Sequence, residues 1–221
     1  KHKFMKAKMK TFLFALAIGA TSASAQTIAE ADRFGHGQDS IECLQNISLY
    51  QEHVKTKNYA EAYEPWKAVF YKFPAARFDM YAIGAEILQA LIKAETDATK
   101  KGALVQELLG TYDRHIEYLD AVNAFRKRPI TKAKILEDRA HAYIIYTKPL
   151  DLQAAHKMLL ETLNIDPQNA GHQIMLDLMQ VSSTLAKKLE THREQIIKDY
   201  PQFPAFTEYN DLLNAIKSVI K

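Results

Sequence analysis

Cysteine is nearly absent from this chain: Cys43 is the only one in 221 residues. A lone thiol excludes an intramolecular disulfide framework and any Cys₄ or Cys₂His₂ zinc site. Glycine and proline are scarce, at seven each, which excludes a collagen-like or low-complexity chain. There is no Asn-Gly or Asp-Gly turn and no sustained apolar-polar alternation, so β-hairpins are not expected. No apolar run approaches the roughly 20 residues that cross a bilayer. What is present is ordinary globular material, 48% hydrophobic and 25% charged, enough for one domain or a short repeat array.

The formal charge of +3 is misleading. Lys1, Lys3, Lys6, Lys8 and Lys10 cluster at the start, and no acidic residue occurs through Ala25. A short apolar stretch, Phe12 to Ile18, and small residues ending Ala23-Ser24-Ala25 follow. A basic region, an apolar region of this length and an A-x-A-like site predict a secretory signal peptide over 1–25. Cleavage after Ala25 takes five lysines away and turns +3 into −2, which argues against a nucleic-acid partner. The expected product is exported, periplasmic or secreted, with no transmembrane segment after cleavage. A flexible lead-in is expected over 26–38.

Apolar residues then recur at helical spacing. Phe78, Tyr81, Ala85, Leu88 and Ile92 form one stripe, and Val105, Leu108, Tyr112, Ile116 and Leu119 another. Ala155, Met158, Leu159 and Thr162 follow, then Ile174, Leu178, Val181 and Leu185. Phe206, Tyr209, Leu213, Ile216 and Ile220 close the chain. Spacings of three and four put each set on one helix face, so the expected class is all-α. Pro74, Pro129, Pro149, Pro167 and Pro201 fall between stripes, where helices end. Pro65 is the exception and must sit in a first turn or at a kink. Asp39 followed by Glu42 has capping-box spacing, and an insertion is expected between helices ending near Glu95 and starting near Gly102.

A period emerges from these boundaries. Pro167 and Pro201 lie 34 residues apart, and two segments share one pattern. Ala62, Trp66, Val69 and Pro74 carry it first; Ala155, Leu159, Thr162 and Pro167 repeat it. Met80, Ile83, Gly84 and Ile87 fit the first-helix pattern of the next unit, with glycine where helices approach closely. Ala142, Tyr143 and Tyr146 occupy equivalent places, and a fourth unit would use Leu176 and Ile196, with Arg193 at a core place. In these respects the chain resembles tetratricopeptide-repeat proteins. The stretch from Phe34-Gly35-His36-Gly37-Gln38 through Asn58-Tyr59-Ala60-Glu61-Ala62 is similar to secreted repeat proteins of Bacteroidota. The resemblance implies antiparallel hairpins over 39–221, stacked as a right-handed α-solenoid. In that group a second cysteine often precedes the proline matching Pro74; here Phe73 takes its place, so the implied staple to Cys43 is missing.

Catalytic chemistry is poorly represented. Histidines 36, 53, 115, 141, 156, 172 and 192 form no H-E-x-x-H, and no Glu-x-x-His pair is repeated. Nucleophile elbows, phosphate loops and dinucleotide fingerprints are absent. Cys43, in the first turns of a helix, has no partner base and is expected to be structural. Neither a catalytic residue, a metal nor a cofactor is expected. Arg126, Lys127, Arg128, Lys132 and Lys134 form one basic cluster, a solvated loop or a contact for an acidic partner.

Stacked hairpins present a concave face. Mapped by repeat register, the places that clamp a C-terminal carboxylate in such proteins hold Ile47, Gln51, Ala140 and Ile144, none of them Lys or Asn. The resemblance therefore does not extend to the clamp. Gln51, Val54, Lys55, Ala140, Ile144 and Thr147 are the expected groove lining, for a mainly apolar contact. The expectation is a non-enzymatic adaptor or scaffold with a protein or peptide partner in the bacterial cell envelope. The alternative is a periplasmic helical binding protein for a small molecule or envelope polymer.

Overall fold

The computed structural model describes residues 28–29, 32–124 and 126–199, with 214 and 218 as isolated positions. The expected signal peptide, Pro201 and the stripe from Phe206 to Ile220 lie outside the described residues. Among those described there is no strand. The helices are α1 (Gln38–Lys55), α2 (Tyr59–Lys72), α3 (Met80–Ala94) and α4 (Ala98–Glu117), followed by the short α5 (Leu119–Asn123). α6 (Lys132–Tyr146), α7 (Leu152–Leu163) and α8 (His172–Asp199) complete them. Each long helix packs against the next in the chain, α4 reaching α6 across α5, and α6 also touches α8.

Local chemistry sets several boundaries. The side chains of Asp97, Thr131 and Asp151 accept backbone N–H bonds at the starts of α4, α6 and α7, satisfying donors that a helix start leaves unpaired. The loop before α4 is therefore only residues 95–97, shorter than the insertion expected between Glu95 and Gly102. At α1 the capping-box expectation fails. Gly37 is the N-cap, at φ +58°, and no side chain caps the helix. Asp39 and Glu42 instead both accept from Lys72 Nζ at the end of α2, at 2.9 and 3.1 Å. Pro65 lies inside α2, past the first turn, leaving that helix one ladder bond short.

Two cores result. The larger joins α1 to α4 around Trp66, Phe70, Tyr81, Leu88 and Leu108. Trp66 stacks on Phe70 with ring centroids 4.8 Å apart and donates its indole N–H to the Met80 carbonyl at 3.0 Å. The smaller joins α6, α7 and α8 through Ala140, Leu159, Ile174 and Leu178. α6 belongs to both, because Ala142 faces the first core while Ala140 and Ile144 face the second. Ahead of α1, Phe34 packs on the first core, and a Cβ on Gly35 would come 2.8 Å from Phe73 Cε1.

Most of the predicted stripes are buried. Ile174, Leu178, Val181 and Leu185 are inside, as are Ala62, Trp66, Val69, Ala155, Leu159 and Thr162. The 34-residue mapping misplaces Leu176, which is 44% exposed. Its neighbours at helical spacing from Ile174 take the inward face instead. Phe78 likewise turns outward and lies under the Arg126 guanidinium, 5.1 Å from its centroid.

Candidate functional site

Where α3, α4 and α6 meet, they leave a half-open groove of about 390 Å³. α3 contributes Ala82, Ala85, Glu86 and Gln89, and α4 contributes Tyr112. From α6 come Asp138, His141, Ala142, Ile145 and Tyr146. Spacings of three and four on both helices put these residues on one stripe each, at the edge of the first core, to which Ala85 and Ala142 also belong. Small alanines make the floor possible. Around it stand two carboxylates, an amide, an imidazole and two phenols, with no lysine or arginine in the lining.

The polar groups are held in place. Asp177 on α8 is only 5% exposed, and its Oδ2 lies 2.8 Å from Nδ1 of His141. Its Oδ1 accepts from Gln173 Nε2 at 2.9 Å. A carboxylate accepts hydrogen bonds and does not donate them, so Nδ1 carries a proton directed at Asp177. Glu86 Oε1 accepts from the Tyr59 hydroxyl at 2.8 Å, and Asp138 Oδ1 pairs with Lys134 Nζ at 2.7 Å. Burial pushes the Tyr112 hydroxyl up to about 12, with the Asp138 charge adding to the rise and a Gln89 hydrogen bond opposing it. Tyr112 is therefore a neutral donor or acceptor at any ordinary pH.

None of the six residues expected to line a groove lines this one. Ala140 and Ile144 are spent on the second core, because α7 and α8 cover that side of α6. One residue further on, His141 and Ile145 face the groove. Val54 packs against the first core, Gln51 is half-buried in α1, and Lys55 is exposed 3.7 Å from Glu52. Thr147 caps the end of α6, and among the described residues its buried hydroxyl has no hydrogen-bond partner. The missed residues did carry a signal, since Asp138, His141 and Ile145 repeat at helical spacing. Only the packing of α6 against two cores distinguishes that stripe from its neighbours.

The basic cluster is divided. Arg126 is drawn onto Phe78 and donates to the Arg128 carbonyl at 2.9 Å, while Lys134 turns to Asp138 and approaches Glu137 at 4.0 Å. Lys127, Arg128 and Lys132 are exposed. Cys43 is fully buried, and burial pushes its thiol up to about 11, with Glu42 adding and Lys72 opposing. Since the thiolate is the reactive form, alkylation of native Cys43 at pH 8 should run at least about 100-fold slower than in urea-unfolded protein. Comparable rates would refute its burial. Among the described residues no group of three or more His, Cys, Asp or Glu side chains could hold a metal. No described helix is long and apolar enough to cross a membrane. No protein-family model, curated protein or solved structure matches the chain.

Proposed function

We propose that this chain is a non-enzymatic helical-repeat scaffold that receives a protein or peptide partner in the groove between α3, α4 and α6. The observation that carries this reading is the groove itself, half-open and built from rigid, well-buried helices. An extended segment or a helix lying along such a surface needs no lid and no chemistry. Stacking as a tetratricopeptide-like right-handed α-solenoid is supported by the sequential helix pairing, by the α6 to α8 contact, and by Gly84 lying against Trp66. Membership of the tetratricopeptide-repeat class, with likeness to secreted Bacteroidota proteins, rests on the sequence pattern. The signal-like N-terminus supports export to the periplasm or beyond, and the net acidic remainder argues against nucleic acid.

The tyrosine walls favour a second reading, a binding protein for a small molecule or envelope polymer. The two are separated by placing a photo-crosslinking amino acid at Ala82 or Ile145, with Lys157 on α7 as the control. In envelope fractions, one protein adduct at the groove positions and none at Lys157 is the expected result. A co-purifying small ligand in native mass spectra, with no protein adduct, would replace the scaffold by the binding protein.

A further inference from the structure

The groove is lined by two carboxylates and, among the described residues, by no cationic lysine or arginine. Each lining carboxylate spends one oxygen inside the protein, on Tyr59 or on Lys134. The second oxygen of Glu86 and of Asp138 makes no hydrogen bond among the described residues. Asp177 holds the His141 ring in place beside them through Nδ1. The nearest guanidinium on α6 is no competitor, since Arg139 is clamped by both oxygens of Asp113 at 2.7 and 3.1 Å. Such a lining repels a carboxylate or phosphate. A purely apolar side chain would desolvate these acceptors without compensation.

We propose, resting on the scaffold reading above, that the groove takes a lysine or arginine side chain of the partner protein, its cationic head received by Glu86 and Asp138. The methylene stem suits the alanine floor and the exposed Ile145, as long basic side chains cover apolar surface with their stems. The faces of Tyr112 and Tyr146 are attractive to a cation. Lys134 bonds Asp138 only at the exposed rim, where an incoming cation displaces it at little cost because exposed pairs are weak. The groove thus selects charge opposite to that taken by a carboxylate clamp.

The test is peptide display against immobilised protein spanning residues 26–221, with two variants in parallel. Ala82→Trp fills the groove from an exposed helix position, and Glu86→Gln with Asp138→Asn removes both charges while preserving shape. Circular dichroism confirms that each variant folds. The expected result is enrichment of peptides with a central Lys or Arg, bound at least about tenfold more weakly by the double charge variant and lost in Ala82→Trp. Their affinity should also fall between 50 and 500 mM salt, as screening requires. Enriched peptides that lack a basic residue yet are blocked by Ala82→Trp would overturn the charge inference and leave the scaffold reading standing. Peptides indifferent to Ala82→Trp, or none enriched at all, would sink both. Putrescine bound as tightly as the best peptide would overturn the protein occupant in favour of a small cation.

Discussion

Gly84→Ala should destabilise the protein by about 1–3 kcal/mol, even though the same change in an exposed helix would stabilise it by about 1 kcal/mol. A Cβ at position 84 would overlap the Trp66 indole. That ring cannot yield, because it is fully buried, stacked on Phe70 and tied by its N–H to Met80. α3 and α2 must separate instead, which loosens the centre of the larger core. Trp66→Ala should cost more, about 3–5 kcal/mol, by leaving a cavity and removing a large buried surface. The double variant then decides the mechanism. Once the indole is gone the new methyl has room, so the combined loss should be smaller than the sum by at least about 1 kcal/mol. Urea titrations of the four proteins measure this, and strict additivity would refute the contact.

Stability should also fall as the solution is acidified from about pH 6.5 to about 4, through His115. Its ring is 6% exposed, lies flat on Tyr81 with centroids 4.3 Å apart, and among the described residues its buried Nε2 has no hydrogen-bond partner. Burial, with a smaller contribution from the Arg126 charge, lowers its pKa from 6.5 to about 4. Above pH 6.5 the ring is neutral whether folded or unfolded, so it contributes no pH dependence. Between the two values the unfolded chain takes up a proton that the folded one refuses, and each pH unit costs about 1.4 kcal/mol. The full loss is about 3 kcal/mol, complete near pH 4. His115→Phe preserves a planar ring against Tyr81 and removes the titration. The stability difference between wild type and this variant, followed from pH 7.5 to 4, cancels every other titrating group. A difference that stays constant across that range would contradict a buried neutral His115.

Much of the fold was legible in the sequence, for a local reason. An apolar stripe at spacing 3.6 reports that a helix exists and which side it buries, and both depend on residues within a few turns. The stripes of α3, α4, α7 and α8 and the prolines between them could be read in this way, as could the glycine of a close helix approach. The repeat register was less reliable. Leu176 is outside because the α8 stripe runs through Ile174 and Leu178, and a period carried over from other hairpins does not constrain that rotation.

The lining expected from the sequence lay on α1 and at α6, and none of it borders the groove between α3, α4 and α6. Ala140 and Ile144 look like plausible lining in isolation, and His141 and Ile145 look like ordinary surface. α6 differs from its neighbours in serving two cores, with Ala142 turned to one and Ala140 and Ile144 to the other. The face left over is decided by where α3, α7 and α8 come to rest. Asp39 and Glu42 follow the same logic, since a lysine at the end of another helix claims them in place of the local backbone. The sequence alone determined the helical class and most of the buried residues, because these follow from short-range periodicity and turn chemistry. Tertiary structure alone decided that Glu86, Asp138 and His141 share one groove and that Asp177 fixes the imidazole. Glu86 lies 52 residues before Asp138 and 55 before His141, and Asp177 lies 36 after His141; packing between helices, which no local pattern encodes, is what brings them together.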